Sequence, residues 1–456
     1  MTVVADVVTP AHRRTPRFLP RSLGPATIWA LVAGLLVLWL VLRPAGESSG
    51  EFVGQLLGAE AVLLMSIGMV LISMLPWVEP WFDGIDRAAI WHRRTMIAGL
   101  VLLVPHAMVT SGADGSSLGG TLGAIGLIGL AALAAWSVLP RWRSIAPTRL
   151  LGVAARLRET TWGATLKWWI GGYELWRALH RTTGLFLAAG FVHGLMDGSA
   201  FHSQPLRWTY IVIGAVGLGF YGYRELLARH LMALHDYEVA AVTPLGSGLV
   251  EIALRPLGRP FDFVPGQFAM LYLEARDGWH RHPFTIASGA HEPVVRVTVK
   301  GLGDFTSSIA DLLEPGMPAV IAGPHGRFDH RRGGDHQVWI AGGVGITPFL
   351  SWLRSADVVS LPPRVDFFYS AAGPLPFADE VDAVAARHPE LHPYLVDTRL
   401  EGRLTVEEIL AAADADPAEL SAFLCGPEPM LTTFTAALRT AGIRPSRIHR
   451  EYLDLR

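Results

Sequence analysis

The sequence predicts a multidomain fold: a six-helix transmembrane bundle, then a small antiparallel β-barrel, then an α/β domain. Three features lead to this prediction. Long apolar runs are concentrated before about residue 228, in a chain of 456 residues that is 51% hydrophobic. Short segments of alternating apolar and polar residues, separated by Gly and Pro, come next. Apolar strand-like segments that alternate with helical segments fill the remainder.

The apolar part, residues 25–228, follows a polar tail at 1–24 that holds four arginines. Each apolar run is close to the roughly 20 residues that a helix needs to cross a bilayer. The first run is too long for the core of a signal peptide, and no small-residue cleavage site follows it, so we expect it to be retained. The predicted spans are 25–43, 53–75, 88–110, 118–139, 175–196 and 208–226.

The distribution of cations predicts the orientation. Segment 140–174 holds six Lys and Arg residues, whereas 111–117 and 197–207 together hold only Arg207. By the positive-inside rule, the tail, segment 140–174 and everything after residue 228 face the cytoplasm. We therefore expect a multi-pass cell-membrane protein, embedded in the lipid bilayer, with cytoplasmic soluble domains. The net charge of −2 gives no indication of a nucleic-acid partner.

Two of the predicted spans each contain a pair of histidines. His106 follows His92 by 14 positions, and His193 follows His180 by 13. A rise of about 1.5 Å per residue separates the members of each pair by roughly 20 Å, with His92 and His180 on the cytoplasmic side. Ionisable residues inside a span are costly and usually functional, and imidazole is a good axial ligand of haem iron. We therefore predict two haem b groups, one between His92 and His180 and one between His106 and His193.

Further residues of these spans refine the prediction. Arg93 and Arg181 directly follow the cytoplasmic-side histidines, where a haem propionate would favour a cation. A spacing of 14 returns to nearly the same face of a helix, whereas a spacing of 13 does not. We therefore expect a distortion of the second helix at Gly184 or Gly190. The alternative is that polar groups of neighbouring helices satisfy the four histidines.

The predicted barrel, residues 236–330, contains two groups of candidate residues. An aromatic beside a hydroxyl residue on a barrel strand can cover a flavin ring and hydrogen-bond its N5 region. The start of the helix that follows offers backbone amides to a pyrophosphate. The two groups are His282, Pro283, Phe284 and Thr285, and Lys300, Gly303 and Thr306.

The predicted α/β domain, residues 336–456, has a Gly-rich turn after its first strand. Glycine lets a backbone approach phosphates, and the following helix supplies partial positive charge. A plain strand-to-helix turn is the alternative. A second strand end faces the turn and contains the only cysteine of the chain, for which a buried small residue is the alternative. The candidates are Gly342, Gly343, Gly345, Thr347 and Pro348, and then Cys425, Gly426 and Pro427.

In this order, the motifs H-P-F-T, G-P-x-G, G-G-V-G-I-T-P, C-G-P and a terminal E-Y resemble those of the ferredoxin–NADP reductase superfamily. Together with the four histidines, the chain resembles the ferric reductase/NADPH oxidase family of transmembrane flavocytochromes b, from about residue 25 to 456. The resemblance implies FAD, NADPH or NADH, and two haem b groups as cofactors.

The resemblance also implies roles for the candidates. Phe284 and Thr285 would contact the isoalloxazine, and Cys425 would lie near the nicotinamide with Gly426 and Pro427. Tyr452, next to Glu451, would guard the flavin face that the nicotinamide reaches. The catalytic set is then Thr285, Cys425, Glu451 and Tyr452. His282, Lys300, Gly303 and Thr306 would lie along the FAD, and the Gly-rich turn would hold the nicotinamide dinucleotide.

The function implied is electron transfer from cytoplasmic NAD(P)H through FAD and two haems to an acceptor on the outer face. Ferric iron, presented as a chelate, is the first expectation. The alternatives are O₂, giving superoxide, and a protein partner; a reductase on a haem-free anchor is a further alternative. NADPH and NADH stay open, because a 2′-phosphate would need a cation such as Arg399 or Arg403.

Overall fold

The computed structural model describes residues 20, 22–43, 48–73, 75, 77–110, 117–138, 178–228 and 234–452. Most of the predicted tail 1–24 and all of segment 140–174 therefore lie outside the described residues. The side chain of Tyr452 also lies outside them. The predictions that concern these parts are left as predictions.

The described residues up to 228 are mainly helical. Ser48 begins α2 because its hydroxyl accepts the Glu51 N–H at 3.2 Å. Helix α4 packs along α2, and α6 packs along α5. A turn of 3₁₀-helix at Ser199–His202 separates α6 from α7, and one π-helical turn at Tyr223–Leu227 follows α7. The helices are α1 (Leu23–Val41), α2 (Ser49–Leu71), α3 (Glu79–Phe82), α4 (Ile85–Thr110), α5 (Leu118–Val138), α6 (Thr183–Asp197) and α7 (Gln204–Gly222).

Within the described ranges, three helices are long and apolar enough to cross a membrane. They are Leu23–Val41, Ser49–Leu71 and Leu118–Ser137. Helix α4 carries Arg87, Arg93 and Arg94 in its first part, and α6 has 15 residues. The six-helix transmembrane bundle predicted from the sequence is therefore supported only in part.

After residue 234 the chain forms a six-stranded antiparallel sheet that curves into a half-barrel. Its strand order is β4-β3-β6-β1-β2-β5, and the bridge Ile286↔Val297 draws its two ends together. Alternating apolar side chains fill its interior, among them Ile252, Leu271 and Val297, all fully buried. The strands are β1 (Leu234–Gly246), β2 (Leu249–Pro256), β3 (Phe268–Ala275), β4 (Gly278–Thr285), β5 (Val295–Lys300) and β6 (Pro318–His325), with α8 (Asp304–Leu312) between β5 and β6.

The last part of the chain is a five-stranded parallel sheet with the order β11-β10-β7-β8-β9. The chain leaves β7 towards β8 on one side and returns to β10 on the other. The crevice at the carboxyl ends of β7 and β10 is thus the place where such sheets bind ligands. The elements are β7 (His336–Gly342), α9 (Thr347–Arg354), β8 (Arg364–Ala371), α10 (Ala378–Ala385), β9 (Leu391–Asp397), α11 (Val406–Ala413), β10 (Ser421–Gly426), α12 (Glu428–Thr440) and β11 (Ile448–Tyr452).

Helix α9 joins the two sheets. The Ser351 hydroxyl donates to the Ser288 carbonyl at 2.8 Å, and the Trp352 indole N–H donates to the Pro265 carbonyl at 3.0 Å. Both side chains of α9 are buried. The half-barrel and the parallel sheet are therefore fixed to each other beside the Gly-rich turn.

Candidate functional site

The H-P-F-T motif lies at the end of β4. Thr285 is the register partner of Phe268 on β3, and the rings of His282 and Phe284 lie 6.0 Å apart. The ring of Phe305, from α8, stacks on His282 with 5.0 Å between ring centres. His282 and Phe284 are two positions apart and share a face of the strand. This face is a surface of rings, which suits a flavin or its adenine.

Two members of that surface were missed by the sequence prediction. Phe305 stacks on His280 with 3.8 Å between ring centres, and His280 lies on the same face of β4 as His282. The alternation of His280, His282 and Phe284 was visible in the sequence. The contact of Phe305 was not, because it depends on how α8 lies across β4.

The Thr306 side chain caps the loop that leads into α8. Its hydroxyl accepts the N–H groups of Leu302 at 3.1 Å and Gly303 at 3.0 Å. Lys300 ends β5 with an exposed side chain next to this loop. The Thr306 hydroxyl is thus used to shape the loop. The groups that would contact a pyrophosphate are therefore the backbone amides that follow Gly303 and the side chain of Lys300.

The Gly-rich turn packs directly on the end of β10. A Cβ added to Gly345 would lie 2.2 Å from the Cys425 carbonyl oxygen and 2.7 Å from the Gly426 Cα. Gly342 ends β7, Gly343–Ile346 form one 3₁₀ turn, and Thr347 and Pro348 begin α9. The Thr347 hydroxyl donates to the Val344 carbonyl at 3.0 Å. The turn and the Cys425–Pro427 segment therefore meet at the crevice between β7 and β10.

Cys425 is fully buried in the apolar cluster that contains Trp339 and Phe349. Burial raises the pKa of its thiol, and the Glu451 carboxylate raises it further. Glu451 is the register partner of Cys425 on β11, and the backbone of Tyr452 pairs with Gly426. These contacts support Cys425 as a packing residue at the crevice more directly than as a proton donor.

The end of β8 has a cation beside it. The Asp397 carboxylate accepts the N–H groups of Gly373 and Arg399, both at 2.9 Å, and these bonds lower the pKa of Asp397. The guanidinium of Arg399 lies next to Gly373, 3.2 Å from the position of an added Cβ. Arg399, one of the two arginines considered for a 2′-phosphate, thus lies beside the turn that follows β8.

The four histidines form two pairs. The ring centres of His92 and His180 lie 6.4 Å apart, and those of His106 and His193 lie 6.2 Å apart. Metal–imidazole bonds are about 2 Å long, so rings at these separations leave room for one metal ion between two facing nitrogens. Larger groups, of three or more His, Cys, Asp or Glu, are not found among the described residues.

Backbone carbonyls orient three of these rings. The Nδ1 atom of His92 lies 2.8 Å from the Gly68 carbonyl oxygen, and that of His106 lies 2.7 Å from the Gly54 carbonyl oxygen. The Nδ1 atom of His193 lies 2.9 Å from the Gly119 carbonyl oxygen. A carbonyl accepts only from a protonated Nδ1, which leaves Nε2 with its lone pair. That is the tautomer a metal ligand needs.

The expected distortion of the second histidine helix is found, but not at a glycine. Helical residues up to Arg181 are separated from α6 by a turn at Thr182. The N–H groups of Thr182 and Leu185 donate to carbonyls three positions earlier, those of Leu179 and Thr182. Such tight bonds change the rotation per residue, so His180 and His193 can share a face although they are 13 positions apart.

The two arginines next to the cytoplasmic-side histidines have different surroundings. Arg181 forms an ion pair with Glu225, with 2.5 Å between Nε and Oε2. Arg93 has an exposed side chain. Both side chains are therefore exposed, and that of Arg181 is held by a carboxylate.

Comparison with known proteins finds relatives of the second half of the chain. Residues 235–331 match a family of FAD-binding domains. The reductase component of propane 2-monooxygenase from Mycolicibacterium smegmatis is 29% identical over 42% of this chain and 60% of its own length. An NADPH oxidoreductase from Mycobacterium tuberculosis is 30% identical over 50% of this chain and 60% of its own length. The chain thus spans about 60% of these relatives.

Among solved structures, a ferredoxin NADP⁺ reductase from Neisseria gonorrhoeae with bound FAD and NADP aligns with a TM-score of 0.43 and 20% identity. It covers 48% of this chain and 99% of its own length. Residues 235–331 thus match a FAD-binding domain, and the part of the chain that aligns with the relatives is similar to a reductase component and an NADPH oxidoreductase. The family match does not extend to the apolar helices.

Proposed function

We propose that this chain is a transmembrane flavocytochrome b of the cell membrane, which moves electrons from cytoplasmic NAD(P)H to an acceptor on the outer face. The observation that carries the proposal is the pairing of His92 with His180 and of His106 with His193. Two pairs with nearly equal ring separations, 6.4 and 6.2 Å, are difficult to explain as isolated polar contacts between helices.

The residues present fit two haems. Each pair offers two imidazoles, and the carbonyls of Gly54, Gly68 and Gly119 orient three of them through Nδ1. When bound, the haems would supply two one-electron carriers at two depths of the membrane. The spacing of 14 residues along α4 separates those depths by about 21 Å. Arg93, which directly follows His92 and is exposed, would be a cation for a propionate near that histidine.

On the cytoplasmic side, the chain would bind and orient two nucleotides. When bound, FAD would accept a hydride and release its electrons singly. The rings of His282, Phe284 and Phe305 would hold the FAD against the half-barrel. The turn around Gly345 would bring the dinucleotide to the crevice, with Arg399 near its ribose.

The class of electron acceptor is inferred from a relative of the reductase half. The name of the Mycolicibacterium relative describes a reductase component that belongs to a monooxygenase. This favours an electron-accepting protein over a ferric chelate or O₂ as the partner of the present chain. We therefore put a protein acceptor first and treat the ferric chelate and O₂ as alternatives.

The first test is the haem content of purified, full-length protein in detergent. We expect two haems per chain, and one in each of His92→Ala and His106→Ala, with FAD content unchanged. His202→Ala is the matched control, because the His202 Nδ1 lies 2.6 Å from the carbonyl oxygen of Ser199 in the same 3₁₀ turn. A haem-free spectrum of the wild type would mean that the helices are an anchor and would refute the proposal.

The second test identifies the acceptor. The reduced protein is mixed anaerobically with a ferric chelate, or with O₂ in iron-free buffer, and reoxidation is followed in each case. Slow reoxidation by both, with reoxidation restored by a membrane or periplasmic protein fraction, is the expected result. Rapid superoxide production would establish an oxidase, and prompt ferrous iron would establish a ferric reductase.

A further inference from the structure

Two carboxylates connect the helical part to the half-barrel. The Glu79 Oε1 atom accepts the Gly326 N–H at 2.7 Å. The Arg332 guanidinium donates to the Asp83 carboxylate. The partners are 247 and 249 positions apart in the sequence, so both contacts are products of the tertiary fold.

On the helical side, these carboxylates lie just before the first histidine. Glu79 is in α3, Asp83 follows it directly, and α4 begins at Ile85. His92 is nine positions after Asp83, and the part from Ile85 to His92 rises about 10 Å along α4. Asp83 and His92 are therefore separated by Gly84 and about two turns of α4, so a change in the position of Asp83 also moves the start of the helix that carries His92.

On the soluble side, the same contacts lie close to the candidate flavin surface. Gly326 directly follows β6, which ends at His325. Phe268 on β3 is the register partner of both His325 on β6 and Thr285 on β4. Neighbouring strands are about 4.8 Å apart, so Thr285 is roughly 10 Å from the point that Glu79 holds.

The junction is buried and its charges are complementary. The side chains of Asp83 and Arg332 are 6% and 10% exposed. Arg87 lies 3.7 Å from the Asp83 carboxylate, and Arg332 also donates to the Arg327 carbonyl at 2.9 Å. Asp83 is thus a carboxylate among cations, and removing its charge would leave those cations without their shared counter-ion.

We propose that Glu79 and Asp83 are positioning residues that hold the flavin module against the helix of His92. The proposal rests on the proposed function, because it assumes a flavin at Thr285 and a haem at His92. One-electron transfer slows steeply with distance, so a module that separates from the helices would still oxidise NAD(P)H but would reduce the inner haem slowly.

The test separates these two steps by anaerobic stopped-flow measurements on full-length protein. Bleaching of the flavin by NADPH reports the first step, and reduction of the haem reports the second. In Asp83→Asn and Arg332→Gln, we expect flavin bleaching within twofold of the wild type and haem reduction slower by about tenfold or more, as for one lost partner of a buried charge pair. The exchange Asp83→Arg with Arg332→Asp should recover part of the loss.

Glu79 gives a graded comparison. Glu79→Gln retains an acceptor for the Gly326 N–H and should stay close to the wild type, whereas Glu79→Leu should slow haem reduction. Asp262→Asn is the matched control, because Asp262 is an exposed half-barrel carboxylate away from the junction.

Two results would contradict the inference. Haem reduction in Asp83→Asn within twofold of the wild type would show that the pair does not position the module. An equal slowing of flavin bleaching would show that it supports the fold of the module instead. The proposed function fails separately, because then the wild type itself would contain no haem.

Discussion

A substitution at Gly345 tests whether the packing of the Gly-rich turn on β10 determines how NADPH binds in the crevice. We expect Gly345→Ala to lower kcat/KM for NADPH strongly while the protein still folds and binds FAD. The reason is steric. A Cβ at this position would lie 2.2 Å from the Cys425 carbonyl oxygen and 2.5 Å from its carbonyl carbon. Both atoms belong to the backbone of β10, a central strand, so no side-chain rotation relieves the contact.

The size of the effect follows from these distances. Ordinary contacts of a Cβ lie at 3.4–4 Å, so the turn or the strand must shift by about 1 Å or more. Overpacking of this kind costs about 1–3 kcal/mol of stability. A displacement of about 1 Å near reacting groups can cost about 100-fold in rate. We therefore expect kcat/KM for NADPH to fall by about 10- to 100-fold, together with a lower Tm.

The assay is NADPH-dependent ferricyanide reduction by the FAD-loaded protein, with thermal unfolding measured in parallel. Gly258→Ala is the matched control, because an added Cβ there meets no atom within 4 Å and the residue is exposed. A Gly345→Ala protein with kcat/KM within twofold of the wild type would refute the reasoning. The turn would then be free to move, and its packing on β10 would not determine where NADPH binds.

Three further predictions concern the soluble part. Arg399→Ala should lower kcat/KM for NADPH by about tenfold or more, the value of one charge-assisted hydrogen bond, and leave NADH nearly unchanged in the same ferricyanide assay. Arg354→Ala should lower the free energy of unfolding by about 3 kcal/mol in denaturant titrations, because its buried guanidinium pairs with Glu251 at 3.1 Å and Glu380 at 2.6 Å. Burial lowers the pKa of His330 to about 4 from 6.5. The unfolded state therefore binds one more proton between these pH values. The free energy of unfolding should fall as pH decreases through that window, by at most about 1.4 kcal/mol per pH unit. His330→Gln should flatten this dependence.

Each of these has a result that would contradict it. Equal losses with NADPH and NADH in Arg399→Ala would place the residue outside the 2′-phosphate site. An unchanged free energy of unfolding in Arg354→Ala would mean that water replaces the guanidinium between the two carboxylates. A pH profile of His330→Gln that overlays the wild type would assign the acid sensitivity to other groups.

Much of the soluble module could be predicted from the sequence, because its motifs are local. The turn 342–348 and the segment 425–427 each follow a buried strand, and strand ends of a parallel sheet meet at one edge. The family match at 235–331 supports the FAD prediction. The role of Cys425 was less accessible, since sequence spacing does not show which face of a central strand it occupies.

The helical part was predicted less completely, for a physical reason. Depth in a membrane follows from residue count, and the partners His92 with His180 and His106 with His193 follow from depth. The position of the distortion does not, because the turn at Thr182 depends on backbone hydrogen bonds that no residue type requires. Two contacts join segments that are distant in the sequence: Glu225 pairs with Arg181, and Glu79 accepts the Gly326 N–H. Only the fold reveals them.

The Gly68 and Gly54 carbonyls, which orient His92 and His106, have a consequence for how α2 can change. They are 14 positions apart, as are the two histidines, and 14 residues are nearly four turns of helix. A single residue inserted between them would rotate one carbonyl by about 100° relative to the other. One histidine would then lose its acceptor. The spacing of these two glycines in α2 must therefore match the spacing of the two histidines in α4. An insertion or deletion between the glycines would break this match, although α2 itself carries neither histidine.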